Sequence, residues 1–203
     1  MSERSLSDLL TNNSDYFADN VLSRMHTFYL SGTIGPASDY IDWFDIIRNA
    51  GENDVIKIHI NSYGGDLFTA IQMIRCLNDS LASVIISVEG ACMSAATMVF
   101  LCGDSFEVSP HSMFMFHNYS GGTFGKGGEM LDQLQHESVW SEKLLRDIYS
   151  DFLTEDEIVQ MLNNKDLWMD GDTIVERLQE KAKKIQSLQD EAEDEEVQLD
   201  LDI

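Results

Sequence analysis

Ser94 stands at a boundary between two apolar stretches, a predicted strand that leads into it and a predicted helix that it opens. This position presents a side chain at a strand end, and the first N–H groups of the following helix lack intrahelical partners. A serine hydroxyl can act as a nucleophile where a base removes its proton and N–H groups stabilise the oxyanion. The N–H of Ala95 is a candidate for one such donor. A serine that merely caps a helix fits the same local pattern.

Two adjacent glycines, Gly64 and Gly65, follow another predicted strand and precede another predicted helix. Glycine permits positive φ angles and a close approach of the backbone to a ligand. The N–H groups of this pair are therefore candidates for the second oxyanion donor. A tight strand-to-helix turn explains the two glycines equally well.

His117 ends an apolar strand and leads into a glycine-rich segment, residues 121–128. Because imidazole titrates near neutral pH, a histidine in this position suits a base and acid that act in turn. Asp166 lies beside apolar residues 167–169, but the pattern alone does not single it out among 36 acidic residues. We interpret the other four histidines as structural: His26, His59, His111 and His136.

Ser94, His117 and the glycine pair fall after the ends of predicted strands. These strands span residues 26–30, 54–60, 83–88 and 112–117. Predicted helices alternate with them, the first capped by Ser38 and the second by Asp66. These helices span about residues 39–50, 67–77, 94–101, 129–149, 155–162 and 172–189. Such alternation predicts an α/β fold with the helices outside the sheet. Sites of α/β proteins commonly lie at strand ends, so the candidates could share one region.

The charge of the chain limits its partners. The 203 residues carry a net charge of −23, which argues against binding nucleic acid through phosphates. Eight acidic residues lie between positions 190 and 203, a run typical of a solvated acidic tail. The alternation in residues 197–203 also fits a strand that adds to the sheet of a partner.

Composition also predicts where the protein acts. No run of 18 apolar residues is present, and residues 1–24 form a polar segment without the features of an export signal. The three cysteines, Cys76, Cys92 and Cys102, lie in apolar runs without CxxC spacing. We therefore expect buried, reduced thiols, a cytoplasmic protein, no membrane partner and no metal site.

Four sequence blocks resemble the Clp protease proteolytic subunit (ClpP) family. Residues 61–66, NSYGGD, are similar to the oxyanion-loop signature of that family, and residues 90–94 to its nucleophile turn. Residues 115–117 with the following glycines resemble its histidine strand, and residues 165–169 its aspartate motif. The blocks occur in family order, and the resemblance covers roughly residues 25–170.

The resemblance implies a serine endopeptidase with a Ser-His-Asp triad. By correspondence with the family motifs, Ser94 is the nucleophile, His117 the general base and acid, and Asp166 the residue that orients the imidazole. The backbone N–H groups of Gly65 and Ala95 correspond to the oxyanion hole.

The resemblance further implies a crotonase-like ββα superhelix with a long protruding handle helix. It implies a homo-oligomeric ring, commonly a heptamer and often two stacked rings, that needs no cofactor. A peptide or unfolded protein substrate is expected to add as a strand beside Gly64, Gly121 and Gly122. The expected domains are a polar segment 1–24, a peptidase domain 25–171, and a charged helix with an acidic tail 172–203.

Several positions depart from the family pattern. The N-terminal segment does not resemble the axial hairpin that engages an ATP-driven unfoldase, so that partner is left open. Lys165 replaces an arginine, Asn163 and Asn164 stand where family members often carry an acidic partner, and Ala95 replaces a methionine. We hypothesise a divergent or phage-encoded member that processes specific proteins, for example in phage head maturation. The alternatives are an inactive ring or scaffold subunit and an acyl-CoA hydratase or isomerase of the crotonase fold.

Overall fold

The computed structural model describes the backbone of residues 23–201 and the side-chain surroundings of residues 23–187. Apart from its last two residues, the predicted polar segment 1–24 lies outside the described residues. The six strands are β1 Met25–Ile34, β2 Val55–Gly65, β3 Ser83–Met93, β4 Ser105–Val108, β5 Met113–Phe116 and β6 Leu167–Asp170. The α-helices are α1 Ile41–Arg48, α2 Leu67–Asn78, α3 Ala95–Phe100, α4 Gly127–Tyr149, α5 Glu155–Leu162 and α6 Gly171–Leu201.

All six strands belong to one sheet, ordered β1-β2-β3-β5-β6, with β4 also paired to β3. Strand β3 is long enough to pair with two partners, β4 along residues 85–88 and β5 along residues 91–93. The pairs are parallel except for β5 with β6, which is antiparallel. Mixed α/β architecture with a mainly parallel sheet confirms the predicted fold class.

Alternate residues of the central strands enter the core, which is the period of two expected for strands covered on one face. Helix α3 packs over these residues and contacts β2, β3 and β5, and α2 packs against α3. The opposite face is partly open, with Tyr29 64% exposed. Among the buried strand residues are Phe28, Leu30, Ile56, Ile58, Ile60, Val84, Ile86 and Val88. In the described part of the chain, no helix is both long and apolar enough to cross a bilayer.

Two segments beyond the predicted strand ends are strand in the structure. Residues 61–65 continue β2, and residues 89–93 continue β3. Side-chain hydrogen bonds support both extensions: Ser62 Oγ donates to Gly32 O at 2.7 Å, and Asn61 Oδ1 accepts from Ala91 N at 3.0 Å. The local preference of Asn, Ser and Gly for turns is therefore overridden by tertiary pairing.

Other differences concern short or peripheral elements. Strands β4 and β6, four residues each, were not predicted. Ser38 does not cap α1, because it lies inside a 3₁₀ turn, Ala37–Tyr40, that precedes the helix. Asp66 does cap α2, accepting a hydrogen bond from Thr69 N at 2.7 Å. Helix α6 continues to Leu201, beyond its predicted end near residue 189, because Glu, Gln, Ala and Leu dominate the acidic run and favour helix.

Candidate active site

Ser94 has a strained backbone at the junction of β3 and α3. Its φ of 55° and ψ of −131° lie outside the regions that non-glycine residues favour, a strain of about 1–3 kcal/mol. Hydrogen bonds hold this conformation: Ser94 N donates to Met115 O at 2.8 Å, and Ser94 O accepts from Thr97 N at 2.9 Å. The Ser94 side chain makes no capping hydrogen bond to α3. The hydroxyl therefore projects from the turn and is not used as a helix cap.

His117 contacts the hydroxyl of Ser94 directly. The parallel pairing of β3 with β5 sets Met93 opposite Met115, so the residues that follow the two strands come together. The Nε2 atom of the half-buried His117 lies 2.6 Å from Ser94 Oγ. This separation is within the range for proton transfer between a nucleophile and a general base. Serine and histidine, 23 residues apart in the chain, thus form one hydrogen-bonded pair.

Asp166 directly precedes β6, in register with His117. The antiparallel pairing sets Phe116 opposite Leu167, and continuing it by one residue sets His117 opposite Asp166. Directly opposite residues of antiparallel strands point to the same face, with Cβ atoms about 4.5–5.5 Å apart. Asp166 is exposed, and within the described residues its carboxylate makes no hydrogen bond to the imidazole. The strands thus bring the two residues side by side, while the orienting hydrogen bond is not formed.

Asn118, which the sequence analysis did not single out, ties the strand of His117 to the segment of Asp166. Its Nδ2 donates to Leu162 O and to Asn164 Oδ1, both at 3.2 Å. Asn164 has a φ of 65°, in the left-handed region that asparagine tolerates better than most residues. The position of Asn118 directly after the candidate base, His117, was the available sequence signal.

Gly64 packs against Ser94. Its φ is +85°, and an added Cβ would lie 2.6 Å from Ser94 Cβ and 2.7 Å from Met93 O. Its N–H donates to Ser62 Oγ at 3.1 Å. Gly64 is buried and does not border the cleft, which differs from its predicted place beside the substrate. The reason is that the β2 extension inserts this residue beneath Ser94.

A cleft of about 670 Å³ lies over the Ser94–His117 pair, a volume typical of ligand sites. Gly65 and Ala95 border it, as do Gly121 and Gly122 from the glycine-rich segment. An added Cβ at Gly121 or Gly122 would meet no atom within 4 Å, so this backbone is open to a ligand. The structure therefore gathers every candidate site residue except Gly64 and Asp166 around one cleft.

The sequence analysis missed the wall of the cleft that α4 supplies. Gln133, His136, Glu137 and Trp140 border the cleft from this helix. Trp140 stacks on Phe68 of α2, with ring centroids 5.6 Å apart. The spacing of three and four residues, which defines one helix face, was the sequence signal for this wall.

Tyr149 and the three cysteines are buried or partly buried, so their reactive atoms are shielded from the cleft. Tyr149 Oη lies 2.7 Å from Thr97 Oγ1, and burial raises the pKa of this tyrosine. Cys92 is fully buried in β3, and burial raises the pKa of its thiol well above the ordinary value. Cys76 and Cys92 are buried and unpaired, as expected, while Cys102 is partly buried with its pKa raised to about 12. Raised thiol pKa values argue against a cysteine nucleophile here.

Residues 35–177 match the protein-family model described as Clp protease. The chain belongs to the Clp protease family. A comparison with curated proteins gives no match. The matched range contains all residues that border the cleft, from Gly65 to Trp140, together with Asp166. The N-terminal segment and most of α6 lie outside the match.

Proposed function

We propose that this Clp-family chain is a serine endopeptidase whose nucleophile is Ser94 and whose general base and acid is His117. The observation that carries this proposal is the 2.6 Å contact of Ser94 Oγ with His117 Nε2 at the floor of a cleft. The hydroxyl is free of any capping role, and family membership supports a Clp-type peptidase.

In the proposed reaction, Ser94 Oγ attacks the carbonyl carbon of a peptide bond while His117 Nε2 accepts the hydroxyl proton. The N–H groups of Ala95 and Gly65 stabilise the oxyanion; Ala95 begins α3, where an N–H has no partner within its own helix. His117 then donates the proton to the leaving amine, and the C–N bond breaks. Water, deprotonated by the same imidazole, hydrolyses the acyl-enzyme and restores Ser94.

The proposed role of Asp166 is to orient the imidazole and to stabilise its charged form. Support comes from the β5–β6 register, which sets Asp166 opposite His117 on the same face. In the proposed active state, the exposed carboxylate accepts a hydrogen bond from Nδ1 of His117. We expect this bond to form in the assembled or substrate-bound enzyme.

The proposed substrate is an extended peptide or an unfolded protein segment. The open backbone at Gly121 and Gly122 offers N–H and C=O groups to a chain that pairs as an added strand. Backbone pairing tolerates many sequences, because its hydrogen bonds do not involve substrate side chains. The stacked rings of Phe68 and Trp140 supply apolar surface in the same cleft.

We infer that the active form is a homo-oligomeric ring, as family members are typically oligomeric. Met113 and Trp168, 52% and 56% exposed, leave apolar surface on the β5–β6 side of the subunit. Sedimentation velocity is expected to give a particle of one heptameric ring or two stacked rings of the 23.0 kDa chain. A monomer at micromolar concentration would contradict this inference.

A cytoplasmic location stays a prediction and a role in phage head maturation stays a hypothesis, while an unfoldase partner is left open. Capsid or portal genes beside the coding region would support the processing of specific phage proteins. A neighbouring unfoldase gene would instead favour general protein turnover.

The experiment that tests the proposed activity compares Ser94→Ala with Ser138→Ala on a fluorogenic peptide. Ser138 is an exposed serine of α4 outside the cleft, so its replacement is a matched control. We expect Ser94→Ala to lose at least about 10³-fold in kcat and Ser138→Ala to retain parental turnover. Parental turnover by Ser94→Ala would refute the proposal. An enoyl-CoA thioester tests the hydratase alternative, and an inactive ring subunit would turn over neither substrate.

A further inference from the structure

The charged side chains that border the cleft are acidic. Asp66 and Glu137 are the two carboxylates of its lining, and no lysine or arginine of the described residues belongs to it. Each carboxylate uses one oxygen atom in a hydrogen bond, and Asp66 Oδ1 accepts from Thr69 N at 2.7 Å and thereby caps α2. Asp66 is exposed at the start of α2, whereas Glu137 is half-buried on the α4 side of the cleft. Solvent screens a partly buried carboxylate less, so Glu137 is the better candidate to pair with a cationic ligand.

Glu137 is held in place by a chain of hydrogen bonds that starts in the glycine-rich segment. Thr123 Oγ1 donates to Gln133 Oε1 at 2.5 Å, and Gln133 Nε2 donates to Glu137 Oε1 at 2.6 Å. Within the described residues, the second carboxylate oxygen of Glu137 accepts no hydrogen bond, and the side chain forms no ion pair. The half-buried carboxylate is thus positioned on one side and unpaired on the other.

Aromatic surface lies one helical turn from this carboxylate. Trp140 follows Glu137 by three residues, so the two share one face of α4, and both border the cleft. Phe68 stacks on Trp140 and is itself 70% exposed. An aromatic wall beside a carboxylate suits the long side chains of arginine and lysine, because the ring attracts the cation and the carboxylate pairs with it.

We propose that Glu137 is a specificity-determining residue that selects peptides with an arginine or lysine side chain on the α4 side of the cleft. The stem of that side chain lies along Trp140, and its cationic end pairs with the free oxygen of Glu137. The net charge of −23 attracts cationic segments to the protein before they bind. The hydrolytic consequence rests on the proposed peptidase function, whereas the binding preference does not.

The test uses peptide pairs that differ by one charge. A set of fluorogenic peptides carries one arginine at each successive position around the cleaved bond, and each peptide has a counterpart with citrulline, the uncharged near-isostere. At the best position, we expect the arginine peptide to be cleaved with about three- to tenfold higher kcat/KM. Equal kcat/KM values for all pairs would overturn the proposal.

The variant Glu137→Gln isolates the charge, since glutamine can still accept the hydrogen bond from Gln133. We expect the preference for arginine over citrulline to fall to near one in this variant. Asp132→Asn is the matched control: Asp132 is an exposed acid of α4 that does not border the cleft. The control is expected to keep the parental ratio, and an unchanged ratio in Glu137→Gln would overturn the proposal.

A binding experiment distinguishes the preference of Glu137 for a cationic side chain from the proposed peptide hydrolysis. The same labelled peptides are titrated against Ser94→Ala and against Ser94→Ala with Glu137→Gln, with fluorescence anisotropy as the readout. Tighter binding of arginine peptides that requires Glu137 supports the proposal even if no peptide is hydrolysed by the parent chain. Equal binding of both peptides to both variants would overturn it, although the parent could still be an active peptidase.

Discussion

The members of the candidate triad lie in two regions that are held very differently. Ser94 and His117 follow β3 and β5, central strands whose neighbouring residues are buried, and their side chains already form a hydrogen bond. Asp166 lies in an exposed connection between α5 and β6, and its bond to His117 is not formed. The difference teaches that the fold of one subunit preforms the contact of Ser94 with His117, whereas the position of Asp166 depends on a peripheral segment.

The peripheral segment is fastened by a few polar contacts. Asn118 anchors the first part of this segment through its hydrogen bonds. An ion pair between Glu157 and Arg177 joins α5, which precedes the segment, to α6, which follows β6. Its atoms Arg177 Nη2 and Glu157 Oε1 are 2.5 Å apart. Arg177 holds the pKa of Glu157 at about 2, well below its ordinary value. Polar contacts at a partly exposed surface can be rearranged more easily than core packing, so assembly or substrate can adjust this segment.

The largest combined effect on stability and activity is expected from Gly64→Ala, directly beneath Ser94. The new Cβ would overlap Ser94 Cβ at a backbone conformation that alanine rarely adopts. We expect the free energy of unfolding to fall by about 3 kcal/mol and peptide hydrolysis to fall by at least about 10²-fold. Urea unfolding and a fluorogenic peptide assay measure the two effects.

Gly128→Ala is the control for this substitution. Gly128 lies in the first turn of α4, and an added Cβ there meets no atom within 4 Å. Because alanine favours helix, the control should leave stability unchanged or raise it slightly. If Gly64→Ala behaves like Gly128→Ala, the close packing beneath Ser94 is not what positions the nucleophile.

A smaller effect is expected in the peripheral region, from Asp166→Asn. Loss of the carboxylate removes the group proposed to stabilise the imidazolium, and we expect kcat to fall by about 10²-fold with little change in unfolding free energy. Asp156→Asn, at an exposed acid in the first turn of α5, is the control and should keep parental kcat. Parental kcat in Asp166→Asn would show that another group, or none, orients His117.

The smallest effect is expected for the ion pair of Glu157 with Arg177, which joins the helices on either side of the segment around Asp166. Arg177→Met should lower the free energy of unfolding at pH 7 by about 1 kcal/mol, because Glu157 loses a well-placed partner. The folded pKa of Glu157 is lowered, so its contribution is complete above the unfolded value of 4.5 and is lost as pH falls toward 2. The difference between parent and variant should therefore shrink between pH 5 and pH 2.

Urea unfolding at a series of pH values measures this difference. Arg75→Met is the matched control, because Arg75 pairs with Asp79 at a site where the two side chains are 75% and 49% exposed. A pair so exposed contributes little, so the control should differ from the parent by less than about 0.5 kcal/mol. A pH-independent effect of Arg177→Met would contradict the ion-pair explanation.

The sequence predicted the strands around Ser94 and His117 better than the exposed segment around Asp166. Period-two apolar runs located the central strands, and the motif around Ser94 located the strand-to-helix junction. The strand character of residues 61–65 and 89–93 was missed, because it depends on bonds to distant residues such as Gly32 and Ala91. Local propensity carries no information about such partners.

The peripheral part of the site could be predicted only by resemblance. Asp166 lies next to the strand residue that faces β5 only because β6 pairs with β5, and a four-residue strand of mixed polarity gives a weak pattern. The wall formed by Glu137 and Trp140 is visible as one face of α4, but nothing in the sequence says which element that face meets. Pairing partners and facing surfaces are long-range properties, which is why the structure was needed for both.

The most direct test of the central claim is covalent labelling with a fluorophosphonate, followed by mass-spectrometric mapping of the adduct. The reagent reacts with a serine hydroxyl that a neighbouring base activates, and the contact of Ser94 with His117 is the basis of such activation. The account predicts one adduct, at Ser94, that is lost when His117 is replaced by alanine. An adduct at another serine, or full labelling of Ser94 in the absence of His117, would contradict it.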